Sequence, residues 1–407
     1  RHQRGWWRNE GMFLMDFGLT EEQRLLVSTI RAFVRDELKP LEEQVERDGR
    51  LDDTIADDIR RRSQALGLYA VNIPAEFGGG GLSVLDWMIA EEQFGWTSDI
   101  LIRRAFGNVY EILLAGTVQQ QEEYLLPAVR GERTFSVAFT EPGAGSDAAA
   151  ISTRAERVAG GWILNGSKHY ISDGLYSDFF VVTAMTDPSA GARGISTFLV
   201  EKGMPGFQVG RDQPMMGLRG TSHVEMHFQD VALADRHLLG DEGQGLKLAL
   251  ATLGRVRLAQ VAARAVGKAT MIQHMCLDYA ANRRQFGSAI GDFQMMQAML
   301  ADTAMDINAC RLALWQTASR LDAGDEARGG ISMLKVQASE MLGRVVDRAV
   351  QIHGGAGYCS DLPIERYYRD ARIGRIYDGT SEIHRTVLAR QLLKGDAGLF
   401  DIYEVPS

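Results

Sequence analysis

The sequence predicts an α+β protein in three parts: an N-terminal α-helical domain, a middle antiparallel β domain and a C-terminal α-helical bundle. Three observations carry that prediction. Apolar residues recur at helical spacing up to about residue 131, alternate with polar ones from about 132 to 240, and return to helical stripes beyond 243. The expected domains are 15–131, 132–241 and 242–396.

In the first part, Leu25, Ile30, Phe33 and Val34 follow Thr20-Glu21-Glu22-Gln23, which reads as a helix N-terminal cap. Pro74 and the run of glycines 78–81 break the pattern, and a further helix is expected to start near Leu82 or Ser83. In the middle part, 162–164 and 170–172 flank Asn165-Gly166, a hairpin signal. Segments 135–139, 179–184, 195–200 and 224–228 read as further strands; in the last, Val224, Met226 and Phe228 alternate with Glu225 and His227. In the third part, Leu246, Leu250, Leu253, Val261, Ala265, Ile272 and Cys276 predict one helix of up to about 40 residues. Helices over 291–322, 330–352 and 381–394 complete a bundle.

Composition narrows the function classes. The chain has 407 residues, is 45% apolar and 24% charged, and carries a formal charge of −9. That balance fits a globular protein and argues against a nucleic-acid surface, so an anionic ligand must meet local positive charge. Cys276, Cys310 and Cys359 form no disulfide framework and suit a reducing compartment; the expected location is cytoplasmic, in a bacterium rather than a mitochondrial matrix. No apolar run has the length of a membrane span. Residues 1–14 are basic without a long apolar stretch, read as no secretory signal, and are left out of the fold argument. The eight histidines show no zinc motif, and no metal is expected; His169 and His384 read as structural or surface residues.

Gly143-Ala144-Gly145-Ser146-Asp147-Ala148 fits the loose dinucleotide fingerprint G-x-G-x-x-G/A. That fingerprint needs a helix opening at the glycines, whereas a strand pattern follows here. The plain alternative is a tight glycine turn, which would also let a flat ring approach the backbone.

Two longer runs are more specific. Thr140-Glu141-Pro142-Gly143-Ala144-Gly145-Ser146-Asp147 and Ile376-Tyr377-Asp378-Gly379-Thr380-Ser381-Glu382-Ile383, in that order, resemble the acyl-CoA dehydrogenase family. The resemblance covers nearly everything after Met15. It implies an FAD-dependent enzyme of fatty acid metabolism that oxidises an acyl-CoA to an enoyl-CoA. By the same resemblance, the residue before Gly379-Thr380 is the base: Asp378 takes the α-proton while the β-hydride passes to flavin N5. An isolated Asp-Gly is more often a turn than a base. The family usually has glutamate there, one methylene longer, so this chain or its substrate must close about 1.5 Å, or turnover of ordinary fatty acyl thioesters is poor. Some members place the base on the long helix just before an arginine; Gly254 precedes Arg255 here, leaving Asp378 alone.

Further roles follow from the same resemblance. Phe139 and Thr140 line the isoalloxazine, Gly145 and Ser146 lie by cofactor and thioester, and Tyr170 and Ser172 complete the wall. Arg283 and Phe286, in Arg283-Arg284-Gln285-Phe286-Gly287, and Gln351 and Gly355, in Gln351-Ile352-His353-Gly354-Gly355, reach the FAD of a neighbouring subunit. Thr380 and Glu382 are cofactor candidates; Tyr377, Gly379 and Arg255 face the substrate. Shared sites imply a homotetramer, with an electron-transferring flavoprotein as acceptor. Arg103-Arg104 fall near the acyl-tail segment, and an inward arginine would favour an anionic or polar acyl group; a solvated pair at a helix start is the plainer reading. The alternatives are an oxidase resembling nitroalkane oxidase, which uses an aspartate base, and a catalytically idle acyl-binding scaffold.

Overall fold

Thr20 opens the first helix as the sequence predicts. Its hydroxyl accepts from Gln23 N, and the Gln23 side chain accepts from Thr20 N, which satisfies two N–H groups at the helix end. The computed structural model describes residues 17–395 and 397–400, so the basic segment 1–14 lies outside the described residues.

Helices Glu21–Phe33, Asp53–Ala65, Val84–Phe94 and Asp99–Phe106 lead the N-terminal part. Ser83 caps the third by accepting from Asp86 N. That helix is buried along most of its length because it packs against Glu21–Phe33, Arg264–Asn282 and Gln294–Asp322 at once. Gly267 marks its closest approach: a Cβ there would fall 1.7 Å from the Glu92 carbonyl oxygen. The first and last thirds of the chain therefore share one apolar core, with Ile30 and Phe94 packed into the same cluster as Ala262 and Leu334.

The middle part is a sheet of eight strands: β1 (Phe135–Ala138), β2 (Arg154–Val158), β3 (Gly161–Ser172), β4 (Phe179–Met185), β5 (Ile195–Glu201), β6 (Phe207–Asp212), β7 (His223–Ala234) and β8 (Leu238–Leu239). The order is β6-β7-β3-β2-β4-β5-β8, with β1 on β4. Most pairings are antiparallel, but β1 and one residue pair of β2 run parallel to β4, so the sheet is mixed.

Asn165-Gly166 is not the hairpin turn that the sequence suggested. The chain turns between Val158 and Gly161 instead, and 165–166 lie inside β3 at a register shift. Asn165 explains the difference: its Nδ2 donates to Asp230 Oδ1 at 3.1 Å, and Asp230 N donates to its Oδ1 at 2.8 Å, which ties it to β7. No helix opens at Gly143–Gly145; turns and β2 follow, so the dinucleotide reading falls.

The long helix runs from Gly245 to Asn282, interrupted by a π-helical stretch at Arg257–Ala263. Such stretches re-aim side chains and are frequent at functional sites. Arg257 at its start and Arg264 just past its end both point to the region described next. Helices Gln294–Asp322, Arg328–His353 and Ser381–Leu393 complete the bundle. Among the described residues, no helix is long and apolar enough to cross a membrane.

Candidate functional site

The turn leading into helix Ser381–Leu393 carries Asp378. Asp378 and Gly379 both adopt left-handed backbone, with φ of 53° and 91°. A Cβ on residue 379 would sit 2.8 Å from His384 Nε2, so glycine is required. Aspartate is among the few non-glycine residues enriched in this conformation, which gives a local reason for the shorter acid. The turn is clamped from behind: Arg257 Nε donates to the Asp378 carbonyl at 2.6 Å, and His384 Nε2 lies 3.0 Å from the same oxygen. Thr380 Oγ1 accepts from Ile383 N and caps the helix.

The carboxylate itself is left open. Among the described residues no hydrogen bond or ion pair holds it. Burial pushes its pKa above the ordinary aspartate value, and the nearby cations Arg257, Lys335 and Arg103 only partly offset this. Lys335 is fully buried, its Nζ has no hydrogen-bond partner, and burial draws it down to about 8. Burial draws His384 down to about 4, leaving a neutral ring that can donate through Nε2–H.

Beside this turn lies a chain of buried charges. Arg264 Nε donates to Glu91 Oε2 at 2.6 Å and its Nη1 to Asp99 Oδ1 at 3.1 Å. Arg103 Nε donates to Asp99 Oδ2 and its Nη1 to Asp173 Oδ2 at 3.0 Å. Both arginines sit between acids, which is how buried charges are tolerated. This corrects two expectations. The pair 103–104 is in the last turn of helix Asp99–Phe106, not at a helix start. Arg103 does point inward, yet its donors are engaged by Asp99 and Asp173 rather than free for an anionic acyl end; Arg104 stacks over Tyr176, 4.0 Å from the ring centre. Tyr377 lines a partly open cleft together with Asp99, Ile102, Gln260 and Arg264.

A second cluster surrounds the Thr140–Asp147 loop. Glu141 Oε1 meets Lys168 Nζ at 2.8 Å, and its oxygens also accept from Ser152 N, Ser152 Oγ and Thr153 N. Burial alone would raise the Glu141 pKa, but Lys168 and these donors hold it down to about 2. Lys168 further donates to the Phe139 carbonyl at 3.1 Å, so one buried pair fixes the loop to β1 and β3. His169 N donates to the Thr140 carbonyl at 2.8 Å, which sets Phe139, Thr140 and Tyr170 side by side.

Tyr170 has φ 59°, is 55% exposed, and lies flat on His169 with ring centres 4.0 Å apart. Gly145 and Ser146 are exposed at the loop tip, and Ser172 lends its carbonyl to Ser136 Oγ. Arg283, Phe286, Gln351 and Gly355 are all at the surface; Phe286 is 96% exposed on the tip of a small hairpin. Tyr279 brings their two segments together: its carbonyl accepts from Arg283 N, and its hydroxyl donates to the His353 carbonyl at 3.4 Å. A flat cofactor fits these residues. Tyr170 offers an open aromatic face, and a Cβ at Gly143, Gly145, Gly354 or Gly355 would meet nothing within 4 Å. Glu382 is exposed in the first turn of its helix.

Arg255 is the arginine that the resemblance places on the substrate side. It is exposed and pairs with Glu111 at 3.3 Å, whereas Arg257, which opens the π-helical stretch, reaches Asp378. Sequence reasoning named neither Arg257 nor Lys335 and read His384 as structural or at the surface; it is buried and supports the turn. A π-helical stretch leaves no simple periodic signal, and a lysine on an apolar stripe was the one visible hint. Among the described residues no group of three or more potential ligands could hold a metal.

Comparison with known proteins agrees along the chain. Residues 20–132, 136–231 and 243–393 match the models for the N-terminal, middle and C-terminal domains of acyl-CoA dehydrogenase. The chain is similar to acryloyl-CoA reductase (NADH) of Anaerotignum propionicum, 38% identical over 95% of this chain and 98% of that one. It is similar in structure to butyryl-CoA dehydrogenase of Megasphaera elsdenii, with a TM-score of 0.86 and 33% identity over 93% of this chain and all (100%) of the other. A structure of PigA with FAD and proline superimposes with a TM-score of 0.87 at 29% identity, covering 94% of this chain and 100% of that chain.

Proposed function

Because the chain belongs to the acyl-CoA dehydrogenase family, we propose that it removes hydrogen from the α and β carbons of a short acyl-CoA, with Asp378 as the base. It is an oxidoreductase and a flavoprotein that uses FAD. FAD, when bound, supplies the acceptor for the β-hydrogen.

The observation that carries the reading is the contrast within one residue. The Asp378 carbonyl is clamped by Arg257 and His384, while its carboxylate has no partner among the described residues and is raised by burial. A positioned acid with a raised pKa suits a general base. The peptide N–H of Asp378 would support the thioester carbonyl as charge develops. Phe139, Thr140, Gly145, Ser146, Tyr170, Ser172, Thr380 and Glu382 would hold the cofactor from this chain. Arg283, Phe286, Gln351 and Gly355 would hold it from a neighbouring subunit in a homotetramer. Tyr377 and Gly379 would flank the substrate. Arg257 would position Asp378 through its carbonyl, a part that Arg255, paired with Glu111, does not play. An electron-transferring flavoprotein is the proposed acceptor.

Anaerobic titration of the FAD-loaded protein with butyryl-CoA tests this. Bleaching of the flavin is expected, and Asp378→Asn should abolish it with FAD retained; normal bleaching by that variant would end the assignment. A second reading, reduction of an enoyl-CoA by the same site, is favoured by the name of the 38% identical relative. NADH consumption with acryloyl-CoA separates the two. Peroxide formed under air would instead indicate an oxidase.

A further inference from the structure

A second cavity lies between helices Asp53–Ala65 and Asp99–Phe106 and the start of β1, and it shares no lining residue with the cleft beside Tyr377. Four arginines line it. Three are matched by acids: Arg60 pairs with Asp57 at 2.9 Å, Arg103 with Asp99 and Asp173, and Arg133 with Glu201. Arg104 has neither a hydrogen bond nor an acid partner among the described residues.

The fold nonetheless fixes Arg104. Its guanidinium lies over Tyr176, whose hydroxyl donates to the Gly220 carbonyl at 3.4 Å and whose carbonyl accepts from Thr134 Oγ1. Stacking occupies the face of the guanidinium and leaves the N–H groups at its edge free. Tyr69 lines the same cavity, and its hydroxyl also has no hydrogen-bond partner among the described residues. The ring is seated on Gly107, where the backbone is left-handed (φ 80°) and a Cβ would fall 2.8 Å from Tyr69 Cζ. Burial raises the Tyr69 pKa while Arg60 and Arg104 both pull it down, so the two cations face one hydroxyl. Like charges held together repel, and an anion between them relieves this.

The chemistry of the walls narrows the ligand. A cation finds Asp57 already on Arg60 and one Asp173 oxygen on Arg103, with the other sealed from solvent. A neutral ligand leaves the Arg104 charge unmatched, and a dianion exceeds it. A carboxylate matches both the single charge and the planar fork of an arginine. Ala56 and Val109 add an apolar wall.

We propose that this cavity binds a small monocarboxylate, its oxygens shared between the edge of Arg104 and the Tyr69 hydroxyl and its short alkyl part against Ala56 and Val109. The inference adds a second ligand site and does not depend on the dehydrogenase reading.

Calorimetric titration of the FAD-loaded protein with acetate, inorganic phosphate and ethylammonium, at constant ionic strength, is the test. Acetate should bind saturably at one site with a Kd of roughly millimolar order, as two or three hydrogen bonds to an ion provide, and more tightly than the other two. Arg104→Gln should weaken it at least about tenfold, and Tyr69→Phe about fivefold. The Tm of each variant without ligand reports whether it folds; should Arg104→Gln not fold, Tyr69→Phe carries the test. Unchanged acetate affinity in a folded variant, tighter binding of phosphate or ethylammonium, or no saturable acetate binding overturns the inference.

Discussion

Asp378 and Glu141 are both acids withdrawn from water in the loops that resemblance assigns to the site, yet their surroundings give them opposite characters. Glu141 is surrounded by donors: Lys168, Ser152 and Thr153 hold it ionised, down to about 2. Asp378 has its backbone fixed and its carboxylate unbonded, and burial raises it. Residue type does not decide which acid is a strut and which a base. Hydrogen-bond supply does, because each donor aimed at a carboxylate stabilises the charged form and so weakens it as a proton acceptor.

The largest expected effect separates the two by chemistry. Asp378→Asn should slow flavin reduction by about 10³- to 10⁴-fold, at the upper end of what one general base contributes, with thermal stability near that of the parent. Glu141→Gln should do the reverse. It removes the partner that holds the Lys168 pKa up against burial, so Lys168 must shed its proton or stay charged without a counter-ion, a loss of about 3–5 kcal/mol, seen as a lower Tm and weaker FAD retention. The acid dependence supplies the sign. With a folded pKa depressed from 4.5 to about 2, the Glu141 contribution is fully present above about pH 4.5 and is lost as pH falls toward 2. The variant should therefore show a flatter loss of stability over that window. Equal kinetic loss in both variants would erase the distinction.

The next test concerns the clamp. Arg257→Gln removes the bond to the Asp378 carbonyl, so the left-handed turn is free to relax. Misplacement of about 1 Å costs roughly a hundredfold in rate. Turnover should fall by that order while FAD content holds; Arg255→Gln, at the exposed pair with Glu111, should change kcat by less than about twofold.

Much of this was legible in the sequence. The capping box at Thr20, the three-part change of period and the long helix all follow from local patterns, which neighbours in sequence determine. Asn165-Gly166 misled because the same dipeptide suits a bulge when Asp230, 65 residues away, bonds to its side chain. The partners of Arg103 and Arg257 were hidden for a similar reason. Arg103 is neutralised by Asp173, distant in sequence, and Arg257 reaches Asp378 across 121 residues after a π-helical stretch. The sharing of one core by the first and last thirds was equally out of reach, since Gly267 against Glu92 is a tertiary contact. Asp378 was singled out from its motif, but the left-handed backbone that suits an aspartate there is not carried by the motif.

The smallest effect is the most selective. Lys335 is buried without a hydrogen-bond partner, and its charge pulls the Asp378 pKa down against burial. Lys335→Met keeps much of the volume and removes the charge, so the Asp378 pKa should rise further. The acid limb of kcat/KM should then move to higher pH by about one unit, the low end of a close charge effect. The plateau above that limb should stay within about twofold, because Asp378 is ionised there in both proteins. A merely structural lysine would lower Tm and leave the limb in place. A shift of the limb without loss of plateau rate would tie the buried cation to the base.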